Sequence, residues 1–248
     1  MLLTEQSIRL PQQLGGSMAS SACTSSSFYA TALENHLVSM ARTVEGSVNR
    51  SFEALLSRKA EIASGVFITE PKINESEILV DEHAIRLLLR GDLSQEDVRH
   101  VVSTLKINND LERMGDLAVN ICQCVIALCQ SPRTDTPPEL ASMVPPVRAM
   151  VARSLGALVH RNITLASEVL KSEEAVDRQR DRVVESLIGA VKKEPSLAAI
   201  NIQYILAARH MERMADHSTN IAEDVVFWLQ GVDIRHNRNT PSIPLSSE

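Results

Sequence analysis

Apolar side chains recur every three or four residues along most of the chain, which is the spacing of one face of an α-helix. Leu37, Met40, Val44 and Val48 follow this spacing, and the same residue types return in the same order 103 positions later. The chain therefore contains an internal repeat. Its apolar segments predict six helices, at 33–68, 73–90, 95–131, 140–170, 173–192 and 195–230.

A second group of residues repeats at an offset of 100. The segment Glu112–Asp116 returns as Glu212–Asp216, and Asp81 returns as Asp181. Two copies of a three-helix pattern predict an all-α fold of two tandem three-helix bundles. Because the offset changes from 103 to 100, the first half has three extra residues. We place them in a turn at 67–74, opposite a tighter turn at 171–173.

Residues 131–138 are rich in proline and in residues typical of turns, and they separate the two halves. Closely spaced prolines neither continue a helix nor pair in a sheet. The predicted organisation is a first bundle at 33–131, a linker at 132–139 and a second bundle at 140–230. Residues 1–32 are expected to be a flexible arm, with a true start at Met18 as the alternative, and residues 231–248 a flexible tail. Pro145 and Pro146 predict that the regular part of the fourth helix starts near residue 146.

Composition agrees with an all-α protein, because hydrophobic residues make up 44% of the chain but aromatic residues only 3%. A net charge of −6 argues against a nucleic-acid partner. No apolar run reaches the roughly 20 residues that span a bilayer, and the first residues do not form a secretory core. We therefore expect a cytoplasmic protein. Cys122, Cys124 and Cys129 lack zinc-ligand spacing and are expected to be reduced core residues.

Acidic residues four positions apart lie on one face of a helix and repel each other by roughly 0.2–0.5 kcal/mol per pair. The second and third helices of each half are joined by a short turn, so they should be antiparallel neighbours that bring two acidic pairs together. Oxygen ligands suit Mg²⁺, Ca²⁺ or Mn²⁺, and bridging carboxylates also hold iron or zinc. The pairs are Glu77/Asp81, Glu112/Asp116, Asp177/Asp181 and Glu212/Asp216.

Salt bridges are the competing explanation for these acids, because Arg113, Arg180 and Arg213 lie next to them. Asn120 and Asn220 lie one turn further along the same face, where each could ligate a metal, bridge through water or orient a carboxylate.

Two histidines, His210 and His217, flank the second acidic motif. We expect both to be surface or hydrogen-bonded residues rather than ligands.

Residues 106–121, with the sequence KINNDLERMGDLAVNI, resemble the signature of the PhoU family, and Glu212–Asp216 with Asn220 and Ile221 lies where that family has its repeat. The resemblance covers about residues 33–230. It implies two similar three-helix bundles whose surface E/DxxxD motifs bind metal ions, singly or as multinuclear clusters. The implied metals are iron, zinc, manganese or magnesium. The positions that match the motif are Glu77, Asp81, Glu112, Asp116, Asp177, Asp181, Glu212 and Asp216.

The same resemblance implies regulation of phosphate uptake and negative regulation of the phosphate-starvation response. The implied partners are the ATPase subunit of an ABC-type phosphate transporter and a phosphate-sensing histidine kinase, and a homodimer is also expected.

Two alternatives stay open. One is a metal-free helical interaction scaffold, and the other is a di-metal carboxylate enzyme. Such enzymes typically place Glu-x-x-His on two core helices, a motif that these helices lack. Catalytic triads and Gly-rich phosphate loops are also missing from the sequence, so we expect no enzymatic activity.

Overall fold

The computed structural model describes residues 19–132 and 134–235, with side chains from residue 31 onward. These residues form six α-helices and no strand, which confirms the all-α prediction. A short 3₁₀ turn, Pro195–Leu197, precedes the last helix. The helices are α1 (Ala19–Ser57), α2 (Ala60–Leu88), α3 (Gln95–Cys129), α4 (Pro138–His160), α5 (Ile163–Lys193) and α6 (Ala198–Gln230).

Two three-helix bundles make up the described part of the chain. Helices α1, α2 and α3 pack on one another, as do α4, α5 and α6, and buried apolar residues from all six helices form one continuous core. The most extensive contact between any two helices joins the bundles, through α3 and α6, and α1 also meets α4. Across the described residues, no helix has both the length and the apolar character needed to cross a membrane.

The predicted arm and tail lie mostly outside the described residues. Where the structure does describe them, residues 19–32 belong to α1, so this helix begins earlier than the expected residue 33. The connection between the bundles is close to the predicted linker, since α3 ends at Cys129 and α4 begins at Pro138.

The turn within each bundle was predicted at the wrong place. Helix α2 runs without a break through Pro71, and α5 runs through residues 171–173. The chain turns instead at Arg58 and Arg161, which have φ angles of 50° and 49° and lie 103 positions apart. The three extra residues therefore lie inside α2, where they add nearly one helical turn of about 3.6 residues. Pro71 is exposed, so water can reach the carbonyl that it leaves without a helical partner.

The turn at Arg58 is held by its own side chain. The guanidinium group donates to the carbonyl of Leu128 at the end of α3 and, over 3.0 Å, to the carbonyl of Thr134 in the linker. The thiol of Cys129 donates to the carbonyl of Arg58 over 3.3 Å.

Cys129 is exposed, so its predicted place in the core is wrong. Cys122 and Cys124 are buried free thiols, as expected. Burial raises their pKa to about 12 and about 11, respectively, which keeps them protonated and unreactive.

Helix α4 also passes its two prolines, Pro145 and Pro146, and starts at Pro138 rather than near residue 146. Pro146 has no N–H to donate to the carbonyl of Ser142 one turn earlier. The side-chain amide of Gln179 on α5 donates to that carbonyl over 3.0 Å. A neighbouring helix thus supplies the hydrogen bond that the proline removes, and the helix continues.

Polar contacts at one end of the α3–α6 interface fix the bundles against each other. Lys106 Nζ lies 2.8 Å from Oδ1 of Asp224, whose carboxylate is buried. Burial raises the pKa of Asp224, and the hydrogen bond from Lys106 opposes that rise. Further along, Arg99 donates to the carbonyl of Trp228 over 3.1 Å. Residue numbers along the interface therefore increase on α3 as they decrease on α6, so the two helices are antiparallel.

The repeat supplies an apolar version of the charged pair. The positions equivalent to Lys106 and Asp224 are Leu206 and Cys124. We predict that Lys106→Leu lowers the free energy of unfolding by about 1–3 kcal/mol at neutral pH, because it leaves the Asp224 carboxylate buried without a cation. The double variant Lys106→Leu/Asp224→Cys should recover most of that loss. Urea denaturation of the three proteins measures both effects, and a fully stable Lys106→Leu variant would contradict the importance of this pair.

Candidate metal centre

Asn108 fixes the acidic pair of α2 beside that of α3. Its side-chain amide donates to Oδ1 of Asp81 over 2.9 Å and to the backbone carbonyl of Glu77 over 3.0 Å. Asn108 is itself buried. The pairs Glu77/Asp81 and Glu112/Asp116 therefore lie together on the first bundle, as the repeat analysis predicted, and we call these four residues the first acidic face.

The four carboxylates influence one another. Partial burial raises the pKa of Glu77, and the charge of Asp81 raises it further. The pKa of Glu112 is raised by partial burial and then by Asp116. Loss of hydration comes first in both shifts and repulsion from the neighbouring acid second, and both disfavour the charged carboxylate. A bound cation would oppose the repulsion and stabilise the face.

Arg113 already supplies part of that positive charge. Its Nε atom lies 3.4 Å from Oε2 of Glu112, and its Nη1 atom lies 3.9 Å from Oδ2 of Asp116. The Arg113 side chain is 54% exposed, so water screens both interactions.

The second acidic face lies on α5 and α6 and contains Asp177, Asp181, Glu212 and Asp216. The pKa of Asp216 is raised to about 6, first by loss of hydration and then by Glu212, Asp177 and Glu173. Asp216 is nevertheless an exposed residue. Loss of hydration and the charges of its acidic neighbours both favour the protonated form of this carboxyl.

Glu173 is a member of the second acidic face that the sequence analysis missed. It lies four residues before Asp177, so the spacing rule that identified the other pairs would have found it. The first half has Ile73 at the equivalent position, where it is buried against Gly115. A Cβ atom on Gly115 would lie 3.1 Å from Cδ1 of Ile73, so the glycine makes room for the isoleucine.

Arg180 gives the second acidic face an internal cation. Its guanidinium nitrogens lie 3.3 Å from Oδ1 of Asp181 and 3.4 Å from Oε1 of Glu212, which joins α5 to α6. The first half has the buried Val80 at this position. The two faces therefore share their carboxylates but differ in how much positive charge the protein supplies.

The side chains do not converge on a preformed metal site. Among the described residues, no three His, Cys, Asp or Glu side chains lie close enough together to hold one ion as they stand. The donor set still fits a hard cation, because each face groups several carboxylates at the protein surface. Binding would require those carboxylates to turn toward one point and Arg113 or Arg180 to move aside. The eight metal ligands remain a prediction.

The polar residues beside the second acidic face connect the bundles instead of serving that face. His217 Nδ1 lies 2.7 Å from Oδ1 of the buried Asp110 on α3, and the Asn220 amide donates to the same oxygen over 3.2 Å. His217 is thus hydrogen-bonded, as predicted, and Asn220 is engaged outside the carboxylate cluster. His210 is half-buried, and burial lowers its pKa.

The raised pKa of Asp216 predicts how pH affects stability. The folded chain holds the proton more tightly than the unfolded chain, whose Asp pKa is near 3.8, so this carboxyl contributes stability at low pH that is lost as pH rises through about 6. Asp216→Asn should therefore raise the Tm of metal-free protein at pH 7.5 and leave it unchanged near pH 4. Because water screens the site, we expect a gain of at most about 1 kcal/mol, which corresponds to a rise in Tm of at most about 2–4 °C.

Circular dichroism melts in a chelating buffer measure the Asp216→Asn effect, with Asp135→Asn in the linker as the control for loss of a remote exposed acid. An equal change at both pH values would show that the Asp216 charge is not its cause.

Comparison with known proteins agrees with this architecture. The PhoU domain matches residues 37–125 and 140–225. The phosphate-specific transport system accessory protein PhoU homolog of Pseudomonas aeruginosa is 32% identical over 207 residues, which cover 82% of this chain and 85% of that protein. The homolog of Clostridium acetobutylicum is 28% identical over 206 residues, with coverage of 83% and 94%.

Solved structures give the same result. The crystal structure of PhoU from Pseudomonas aeruginosa superposes with a TM-score of 0.81 at 29% identity, covering 83% of this chain and 99% of that one. The phosphate transport system regulatory protein PhoU from Streptococcus pneumoniae gives 0.77 at 25% identity, with coverage of 84% and 98%. Because the domain matches both bundles and a relative is 32% identical over most of the chain, this protein belongs to the PhoU family.

Proposed function

We propose that this protein is a non-enzymatic accessory regulator of a phosphate transport system, which regulates phosphate uptake and represses the phosphate-starvation response. The observation that carries the proposal is the family match across both bundles, since relatives in that family are named as phosphate transport accessory proteins. On this proposal the protein acts in the cytoplasm, as a homodimer, by binding the ATPase subunit of an ABC-type phosphate transporter and a phosphate-sensing histidine kinase.

The acidic faces are proposed to bind metal ions, such as iron, zinc, manganese or magnesium, singly or as clusters. Raised pKa values of Glu77, Glu112 and Asp216 support this proposal, because partial loss of hydration and then repulsion from neighbouring acids destabilise these carboxylates, and a cation would oppose the repulsion. A metal bound to either face would join the second helix of that bundle to the third. Its role would then be structural or regulatory.

A metal-free interaction scaffold is the second candidate. The ion pairs of Arg113 and Arg180 favour it, because they already neutralise part of each acidic face. On this reading the acids stabilise the helix pairs and recruit partners directly.

Elemental analysis of untagged protein separates the two candidates. We predict that the wild type contains stoichiometric metal. Glu112→Ala/Asp116→Ala should lose the metal bound to the first acidic face, and Glu212→Ala/Asp216→Ala should lose the metal bound to the second. Arg180→Val, which copies Val80 of the first half, should keep or increase the amount of metal bound to the second acidic face, because it removes a competing cation. A folded wild type without metal, or variants that keep all of it, would favour the scaffold.

The regulatory role is tested in the source organism. We predict that deleting the gene raises the activity of a phosphate-starvation reporter in phosphate-rich medium and changes the rate of radiolabelled phosphate uptake. Wild-type protein should restore both values. If metal is required, Glu112→Ala/Asp116→Ala should fail to restore them at equal protein level. A deletion that alters neither reporter nor uptake would contradict the proposed function.

A further inference from the structure

Six large aliphatic side chains of the first bundle are exposed around the end of the α2–α3 pair. Between 38% and 80% of the surface of each residue is accessible to water. Exposure of this much apolar surface in one region is typical of an interaction site. The residues are Ile78, Ile85 and Leu88 on α2, Leu89 at the C-terminal cap of α2, and Val98 and Val102 on α3, and we call them the apolar strip.

The apolar strip continues the first acidic face toward the α2–α3 turn. Ile85 lies one helical turn beyond Asp81, and Val98 lies on the same line of α3 as Asp116, about five helical turns earlier. The hydrogen bonds from Asn108 to Glu77 and Asp81 fix the register of the antiparallel helices, and Asn108 lies level with the midpoint of these two acids. Counting equally from both positions toward the turn brings Ile85 of α2 level with Val102 of α3. Acidic and apolar residues therefore form one surface.

Part of the strip has no counterpart in the second bundle. The positions equivalent to Ile78, Ile85 and Leu89 are Arg178, Glu185 and Gly189, whereas Leu88 and Val102 correspond to the exposed Ile188 and Ile202. The same helix pair forms without aliphatic side chains at the first three positions, so packing does not require them there.

Charge differs between the bundles in the same region. Residues 75–97 contain seven acidic and two basic residues, whereas residues 175–197 contain four acidic and five basic residues. Both basic residues of the first segment, Arg86 and Arg90, are paired with acids, Glu82 and Asp92. Even without the proposed metal ligands Glu77 and Asp81, five acidic residues against two basic ones leave the segment that carries most of the apolar strip negatively charged. The equivalent segment of the second bundle has no such excess.

We propose that the apolar strip is the docking site for a partner protein segment that forms a basic amphipathic helix. Aliphatic side chains of that helix would cover Ile85 and Val102, and its Lys or Arg residues would face the surrounding acids. This inference rests on the proposed function, because it specifies the kind of partner that an accessory regulator would bind. A second copy of this chain would bring two acidic rims together, and an anionic membrane would be repelled, so both fit the surface less well.

Fluorescence anisotropy with a defined probe tests the proposal. The probe is a fluorescein-labelled peptide of about 18 residues, or five helical turns, with leucines on one face and lysines on the other. Two comparison peptides carry glutamates in place of the lysines or the same residues in scrambled order. We expect the basic amphipathic peptide to bind most tightly and to weaken as KCl is raised.

The decisive variant is Ile85→Glu, because it removes apolar surface while adding negative charge. Simple charge attraction would keep or strengthen binding of the basic peptide, whereas docking on the apolar strip predicts a loss of about tenfold or more. The variant should fold normally, since Glu185 occupies the matching position. Ile188→Glu, at an exposed apolar position of the second bundle, is the matched control and should leave the affinity unchanged.

Several outcomes would overturn the proposal. The first is unchanged peptide affinity in Ile85→Glu. The second is a wild-type dimer that light scattering shows to be monomeric in Ile85→Glu. The third is binding to phosphatidylglycerol vesicles that the same variant abolishes. Tighter peptide binding after removal of residues 1–18 or 236–248 would also overturn it, because a segment of this chain would then be the occupant.

Failure of the docking proposal can be distinguished from failure of the proposed function. Peptide binding is measured with and without a chelator, and the metal content and starvation-reporter phenotype of Ile85→Glu are measured in parallel. Normal phosphate regulation together with unchanged peptide affinity in Ile85→Glu would reject the apolar strip alone.

Discussion

The antiparallel packing of α3 on α6 is the contact on which the two-bundle architecture depends. It buries Asp110 and Asp224 of opposite bundles, and each acid obtains a partner from across the interface, His217 for the first and Lys106 for the second. A buried carboxylate without such a partner destabilises a fold strongly. Helices α2 and α5 then pack on the outside, which places the acidic pairs at the protein surface.

The two bundles share a backbone pattern but differ in surface chemistry, and the repeat acts as an internal control for each difference. Val80 is replaced by Arg180, so the second acidic face has its own cation. Ile85 is replaced by Glu185, so this position of the apolar strip is apolar only in the first bundle. Since both sequences form the same fold, packing requires neither Ile85 nor Arg180. We expect the first acidic face to depend more on a bound cation than the second.

The helices, their grouping and the acidic faces could be predicted from the sequence, because apolar periodicity and i, i+4 pairs are local features. The turns at Arg58 and Arg161 could not be predicted in this way. A change of repeat offset shows where residues have been inserted, but it does not show whether a helix can accommodate them. The continuity of α4 past Pro146 depends on Gln179 of another helix, a contact that no local pattern reveals. For the same reason the roles of Asn108 and Arg180 became clear only when α2 and α5 were placed beside their partners.

The central claim is that the grouped carboxylates of each bundle bind metal ions. Its most direct test is anomalous X-ray diffraction from crystals of the protein grown with Mn²⁺, with data collected at energies above and below the manganese absorption edge. The account predicts an anomalous peak within coordinating distance of Glu77, Asp81, Glu112 and Asp116, and a weaker peak beside Arg180 on the second face. Diffraction that located Arg113 and Arg180 on the carboxylates, with no anomalous peak at either face, would contradict it.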